Sequence, residues 1–167
     1  MTKGAIMNAI ELLESQHREV EDLFSEIEEA EDPRQKEQLF TKLADSLAVH
    51  ASIEEHHFYP AVKEKRTEDI LLESLEEHLA IKRVLSDLLD VEVDDETFDA
   101  KLEVLKEQVE HHVEEEESDL FPKVRKILSA EELEAIGQEM SAEQAELEEK
   151  GNPREAVPGQ IDKAAPL

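Results

Sequence analysis

The chain has 167 residues, of which 45 are acidic and 18 are basic, giving a formal net charge of −27. This acidic excess disfavours nucleic acids and anionic membranes as partners, because both bind basic faces, and the lack of cysteine excludes disulfides, iron–sulfur clusters and thiol catalysis. The chain shows neither an apolar signal core nor a run of about 20 apolar residues that would cross a membrane, so we expect a cytoplasmic protein.

The composition favours helices, since Glu, Leu, Ala and Lys dominate and only 4 glycines and 6 prolines occur. A first helix is predicted over about residues 5–30. Its apolar residues recur at steps of three and four from Ile6 to Ile27, forming a seam that faces partner helices. His17 takes the one seam position without a hydrophobe. Asp32 and Pro33 then end this helix and cap the next one.

Three further helices are predicted over about residues 33–65, 68–90 and 96–128. Thr67 is the expected cap of the third helix, and Asp94 or Asp95 that of the fourth. In all three, polar residues interrupt an apolar seam near its middle. The interrupting residues are His50, Glu54 and His57 in the second helix, His78 in the third, and His112 and Glu116 in the fourth.

One motif occurs twice, 62 residues apart, in the segments 50–60 and 112–122. Both copies read His-x3-Glu-Glu-x2-apolar-aromatic-Pro. A His and a Glu four residues apart lie one turn apart on the same helix face, where both can reach one metal ion. His17 and His78 are separated by 61 residues, so each half of the chain is predicted to be a helical hairpin with one lone His and one His-x3-Glu pair.

Short loops imply antiparallel neighbours, so we predict an all-α protein with an up-down-up-down four-helix bundle over residues 1–128. A capping box at Ser129 and Glu132 predicts a short fifth helix over residues 129–150, and Pro and small residues predict an irregular, flexible tail over 151–167. The interrupted seams then meet at one depth, and buried carboxylates there require a cation. The predicted metal ligands are His17, His50, Glu54, His78, His112 and Glu116.

The paired arrangement indicates two metal ions, and imidazole with carboxylate but no thiolate suits iron and also manganese, zinc or copper. The doubled motif together with His17 and His78 resembles the hemerythrin-like family, also called the HHE cation-binding domain, over about residues 8–128. The resemblance implies two iron ions joined by an oxo or hydroxo bridge, with manganese or zinc as substitutes. It implies that His17 and His50 bind one iron, that His78 and His112 bind the other, and that Glu54 and Glu116 bridge them.

The oxygen-carrying hemerythrins have a fifth histidine, four residues from the one on the third helix, where this chain has Ser74 and Lys82. The resemblance is therefore to four-histidine bacterial members linked to iron binding, oxygen or nitric oxide sensing, and peroxide decomposition. We expect a small-molecule ligand (oxygen, peroxide or nitric oxide), no nucleic-acid or membrane partner, and a monomer or weak dimer. Whether the centre turns over peroxide as a catalase does is left open.

Other interpretations of the same residues stay open at this point. His57 lies seven residues beyond His50 and is a candidate ligand, a hydrogen-bond partner of a carboxylate, or a boundary residue. A ferritin-like carboxylate di-iron oxidase would use the Glu-x-x-His spacings that begin at Glu14 and Glu54, and would leave the other histidines without a role. A metal-stabilised structural or interaction bundle is the third interpretation.

Overall fold

The computed structural model describes residues 7–167, and all the regular elements within that range are helical. The first two positions of the predicted first helix, the second of which is Ile6, lie outside the described residues. The helices are α1 (Ala9–Glu29), α2 (Pro33–Ile53), α3 (Tyr59–Val62), α4 (Glu68–Leu89), α5 (Phe98–Glu115), α6 (Phe121–Ile127) and α7 (Ala130–Lys150). The predicted all-α four-helix bundle is confirmed, and α1, α2, α4 and α5 form it.

Two predicted helix starts are confirmed in atomic detail. The Asp32 side chain accepts a hydrogen bond from the backbone of Arg34, with proline at the first helical position. At the start of α7, Ser129 and Glu132 form the expected capping box. These caps succeed because they depend only on residues within one turn of each other.

Two other helix starts differ from the prediction. Thr67 precedes α4, but its hydroxyl donates to the Val62 carbonyl at 2.8 Å and does not cap the helix. The fourth bundle helix begins at Phe98, with Thr97 at the cap position. Asp95 instead accepts hydrogen bonds from the backbone and the hydroxyl of Thr97, at 2.8 and 2.6 Å, and so belongs to the preceding turn.

The apolar core consists of two clusters on either side of a polar layer. One cluster fills the end of the bundle nearest the α1–α2 and α4–α5 connections and includes Val20, Phe24, Leu43, Leu85, Phe98 and Leu105. The other fills the opposite end and includes Ile10, Leu13, Ile53, Phe58, Leu71 and Phe121. The interrupted seam positions fall between these clusters, so the site lies at mid-height in the bundle.

A wide π-helical turn begins at the Glu of each His-x3-Glu pair, over Glu54–Phe58 and over Glu116–Leu120. Each turn ends two residues before a proline, Pro60 or Pro122. Proline has no N–H for the usual bond to the carbonyl four residues back, and its ring clashes with that carbonyl in a regular helix. Inserting one residue into the turn removes this conflict, and the repeated proline therefore accounts for the repeated turn.

The first π-helical turn also explains an error in the predicted seam. The regular period places His57 on the inner face of the second helix. The structure instead buries Phe58, one residue further along. One extra residue in the turn rotates everything beyond Glu54 by one position, which moves the His57 side chain towards α7.

The fifth helix, α7, has 21 residues and packs against α1, α2 and the first π-helical turn. Gly137 makes this contact possible, because a Cβ atom there would lie 2.6 Å from the Met7 carbonyl oxygen. After α7 the chain reverses through Gly151 and Asn152, which have φ values of 78° and 53°. The irregular tail then contains one ordered element, the C-terminal 3-10 segment Pro153–Gln160. None of the helices described between residues 7 and 167 has the length and apolar character needed to cross a bilayer.

Candidate metal centre

The structure brings the six predicted site residues together in the polar layer. Each of α1, α2, α4 and α5 contributes one histidine, and each π-helical turn begins with one of the two glutamates. All six side chains are buried, and the most exposed residue among them is 8% exposed. They are His17, His50, Glu54, His78, His112 and Glu116.

The first group of ligand-type atoms consists of His17, His50 and Glu116, all within 4.8 Å of one another. The Nε2 atom of His17 lies 3.2 Å from Oε1 of Glu116, and the Nε2 atom of His50 lies 4.0 Å from the same oxygen. Two imidazoles and a carboxylate that converge in this way are suited to a single metal ion.

The second group consists of Glu54, His78 and His112. The Nε2 atom of His78 lies 3.3 Å from Oε1 of Glu54 and 3.1 Å from Nε2 of His112. Both glutamates also contact the other group, because Glu54 Oε1 lies 2.8 Å from His50 Nε2 and Glu116 Oε1 lies 3.3 Å from His112 Nε2. The two carboxylates therefore lie between the groups, although their role as metal ligands stays a prediction.

The hydrogen bonding of the centre is incomplete in a way that a cation would complete. Among the described residues, neither carboxylate oxygen of Glu54 nor Nε2 of His50 has a hydrogen-bond partner. The two residues lie close together, but the ring of His50 does not direct its nitrogen at the carboxylate with hydrogen-bond geometry. A buried carboxylate without a partner is costly, so the donor set fits a bound metal ion.

The buried carboxylates of the centre favour positive charge on the groups beside them. Burial alone would lower the pKa of His112, but the carboxylates of Glu116, Glu54 and Glu77 hold it well above its ordinary value. Burial would likewise raise the pKa of Glu54, yet the neighbouring charge of His50 and the nearby His112 and Glu116 side chains hold it well below its usual range. A metal ion bound between the histidines would supply positive charge to the same carboxylates.

Each of the four imidazoles turns Nε2 towards the centre and Nδ1 towards a polar oxygen outside it. When Nδ1 carries the proton and donates it, Nε2 is left free to bind a metal, and the ring is fixed in orientation. Three of the acceptors are carboxylates and one is an amide. The pairs are His17 with Glu117 at 2.9 Å, His50 with Gln16 at 2.7 Å, His78 with Glu55 at 2.7 Å, and His112 with Glu77 at 2.9 Å.

Two of these acceptors had a signal in the sequence that our predictions did not use. Glu55 and Glu117 are the second glutamates of the doubled motif. Each crosses to the opposite hairpin, and each also accepts from a cation, Lys82 at 2.9 Å for Glu55 and Arg18 at 2.8 Å for Glu117. Lys82, which stands where a fifth histidine was considered, therefore binds a carboxylate.

Tyr59 is a further residue of the centre that the sequence did not single out. Its phenol is buried and donates to Oε2 of Glu116 at 2.8 Å. The phenol oxygen of Tyr59 also lies 3.2 Å from Nε2 of His78 and 3.4 Å from Nε2 of His112. Burial, together with the charges of Glu116 and Glu54, raises the pKa of Tyr59 well above its ordinary value. The second motif has Phe121 at this position, so the pseudo-symmetry ends here.

Two residues considered from spacing alone lie away from the centre. His57 faces α7, where its Nε2 atom lies 3.5 Å from Oε2 of Glu143. Of the roles left open for His57, the structure therefore favours that of a boundary residue. Glu14 forms a surface ion pair with Arg125 at 2.9 Å, so the ferritin-like spacing does not assemble a site.

A cavity of about 40 Å³ adjoins the imidazoles of all four histidines. Most of its remaining walls are aliphatic side chains of the bundle helices, such as Leu47, Ile81, Leu85 and Val109. Such a space holds about three water-sized positions and, with apolar walls, favours small neutral molecules.

Comparison with known proteins agrees with this geometry. The sequence model of the hemerythrin HHE cation binding domain matches residues 8–124. A crystal structure of a hemerythrin HHE cation binding domain-containing protein from Mycobacterium kansasii has the same fold, with a TM-score of 0.75 and 24% identity, covering 96% of this chain and 95% of that one. A DNA nickase from Nostoc sp. is 28% identical over 144 residues, which are 86% of this chain but 41% of that protein. The chain thus spans less than half the length of that relative.

Proposed function

This chain belongs to the hemerythrin HHE cation-binding domain family, and we propose that its centre holds two iron ions at which a small molecule such as oxygen, peroxide or nitric oxide is bound or sensed. The observation that carries the proposal is the pair of buried ligand groups, joined by two carboxylates and adjoined by a small cavity. A single metal site would not require the second group.

In this proposal, His17 and His50 hold one iron and His78 and His112 hold the other. Glu54 and Glu116 bridge the pair, which is supported by their contacts with histidines of both groups. The iron pair supplies redox chemistry that no side chain of the protein provides. The donor set also suits manganese or zinc, so metal identity is part of the proposal.

The protein's own contribution is orientation and exclusion of water. Glu55, Glu77 and Glu117 hold three imidazoles through Nδ1, and Tyr59 holds Glu116 through its phenol. The aliphatic walls of the cavity keep the open side of the centre dry. A dry, small space favours diatomic gases over hydrated ions, so oxygen and nitric oxide are the ligands that the geometry supports best.

We do not extend the DNA activity named for the Nostoc relative to this chain. The match covers 41% of that protein. DNA binding depends on lysines and arginines that neutralise phosphates, whereas this chain has 45 acidic and 18 basic residues.

The test is to add nitric oxide, oxygen and hydrogen peroxide separately to the iron-loaded protein and to record absorption spectra. We expect a spectral change with at least one of the gases, and its loss in His112→Ala. The matched control is His56→Ala, because this histidine is exposed and pairs with Glu143 of α7, away from the centre. Oxygen evolution on addition of peroxide would indicate catalase-like turnover. No spectral response to any of the three ligands would contradict the proposal.

A further inference from the structure

The cavity beside the histidines is closed by a residue from outside the bundle. Its lining comes from α1, α2, α4 and α5, with Val157 of the C-terminal 3-10 segment as the one exception among the described residues. Val157 is 2% exposed and packs with the apolar cluster beside the polar layer. Its neighbours Ala156 and Pro158 are exposed, so the segment inserts a single side chain into the bundle.

The C-terminal 3-10 segment is held on both sides of the gap between α2 and α4. On one side, Arg154 donates from its backbone N–H at 3.0 Å and from its guanidinium at 3.1 Å to Asp45 of α2. On the other side, Arg83 of α4 donates at 3.0 and 3.3 Å to the carbonyls of Ile161 and Asp162, the two residues that directly follow the segment. These anchors are half-buried or exposed polar contacts, whereas the helices of the bundle pack against one another through the buried apolar core. The segment is therefore the most easily displaced wall of the cavity.

We propose that Val157 sets the size of molecule that reaches the centre, and that the C-terminal 3-10 segment is the cover through which the molecule enters. With Val157 in place, the cavity of about 40 Å³ accepts a molecule of two or three heavy atoms. Displacing the segment opens a route between α2 and α4 that leads to the imidazoles of His50 and His78. The identity of the entering ligand rests on the proposed function, whereas the closure of the cavity does not.

Two variants test the cavity wall and the attachment of the segment separately. Val157→Ala removes two methyl groups from the cavity wall, and Arg154→Ala leaves the wall intact but removes its attachment to Asp45. Glu155→Ala is the matched control, because this side chain is exposed within the same segment. We expect nitric oxide to associate with the iron-loaded protein about tenfold faster in both variants than in the control, as measured by stopped-flow absorption. Rates of both variants within about twofold of the control would overturn the proposal.

Xenon provides a readout that needs no iron. Methyl NMR of the metal-free protein under xenon pressure reports binding in a dry apolar cavity. We expect larger xenon-induced shifts at Leu47 and Val109 in Val157→Ala than in Glu155→Ala. If the protein holds no iron but these shifts grow as expected, the proposed function fails while the role of Val157 stands. Equal shifts in the two variants would overturn the role of Val157 whether or not iron is bound.

Discussion

Replacing Glu117 by Gln tests whether the carboxylates around the centre raise its affinity for metal. The substitution keeps an oxygen acceptor for Nδ1 of His17, 2.9 Å away in the native protein, but removes the negative charge. Loss of such a partner typically lowers metal affinity by 10- to 100-fold, or about 1.4–2.8 kcal/mol. Because the Glu117 side chain is 29% exposed, solvent screens its charge and we expect the lower end of this range.

The same reasoning ranks related variants. Glu55→Gln should lower the metal affinity more than Glu117→Gln does, because the Glu55 side chain is only 7% exposed. The substitution also leaves the buried ammonium of Lys82 with a neutral partner. Gln16→Glu should act in the opposite direction, since it supplies a carboxylate to the one imidazole that has an amide acceptor.

The assay is anaerobic competition for ferrous iron between the protein and a coloured chelator. Glu114→Gln is the control, because this glutamate is exposed on α5 and its substitution removes one negative charge without touching a histidine. If the iron affinity of Glu117→Gln lies within about twofold of that of this control, the outer carboxylates do not raise the affinity of the centre, and the reasoning is wrong.

Chelating the metal should lower the melting temperature by about 5–10 °C, as calorimetry would show, since a ligand at 100 times its Kd adds about 2.7 kcal/mol. Metal binding at pH 7 should release at least one proton per chain into a weakly buffered indicator solution, because the pKa of His112 is raised well above its ordinary value; metal affinity should therefore fall as the pH is lowered. Tyr59→Phe should destabilise the metal-free protein to urea by about 1.5–3 kcal/mol, through loss of its bond to Glu116. Gly137→Ala should lower the urea midpoint, because its Cβ would meet the Met7 carbonyl at 2.6 Å.

The sequence was sufficient to predict the bundle and the convergence of its central residues. Regular spacing of apolar residues defines the inner face of each helix, and His17, for example, interrupts that face in a position that only a polar layer can accommodate. The local cap signal at Asp32 was confirmed as well, whereas those at Thr67 and at Asp94 or Asp95 were not. These features follow from residues close together in the chain or from the helical period.

The errors in the predicted inner face of the second helix arose where the helical period changes. Pro60 and Pro122 are visible in the sequence, but their effect, a π-helical turn that shifts the seam by one residue, was not anticipated. This shift turned His57 outwards and brought Tyr59 to the centre. Val157 was out of reach for another reason, because a single apolar residue in an irregular tail shows no periodic pattern and its place depends on tertiary contacts.

The iron content of the purified protein tests the central claim most directly. Iron should be determined per chain after expression in iron-replete medium, for the native sequence, for His112→Ala and for the exposed His56→Ala as control. The two-iron centre predicts about two irons in the native protein and in His56→Ala, and fewer than about one in His112→Ala. Less than about half an iron in the native protein, or equal iron in the two variants, would contradict a buried di-iron centre at these residues.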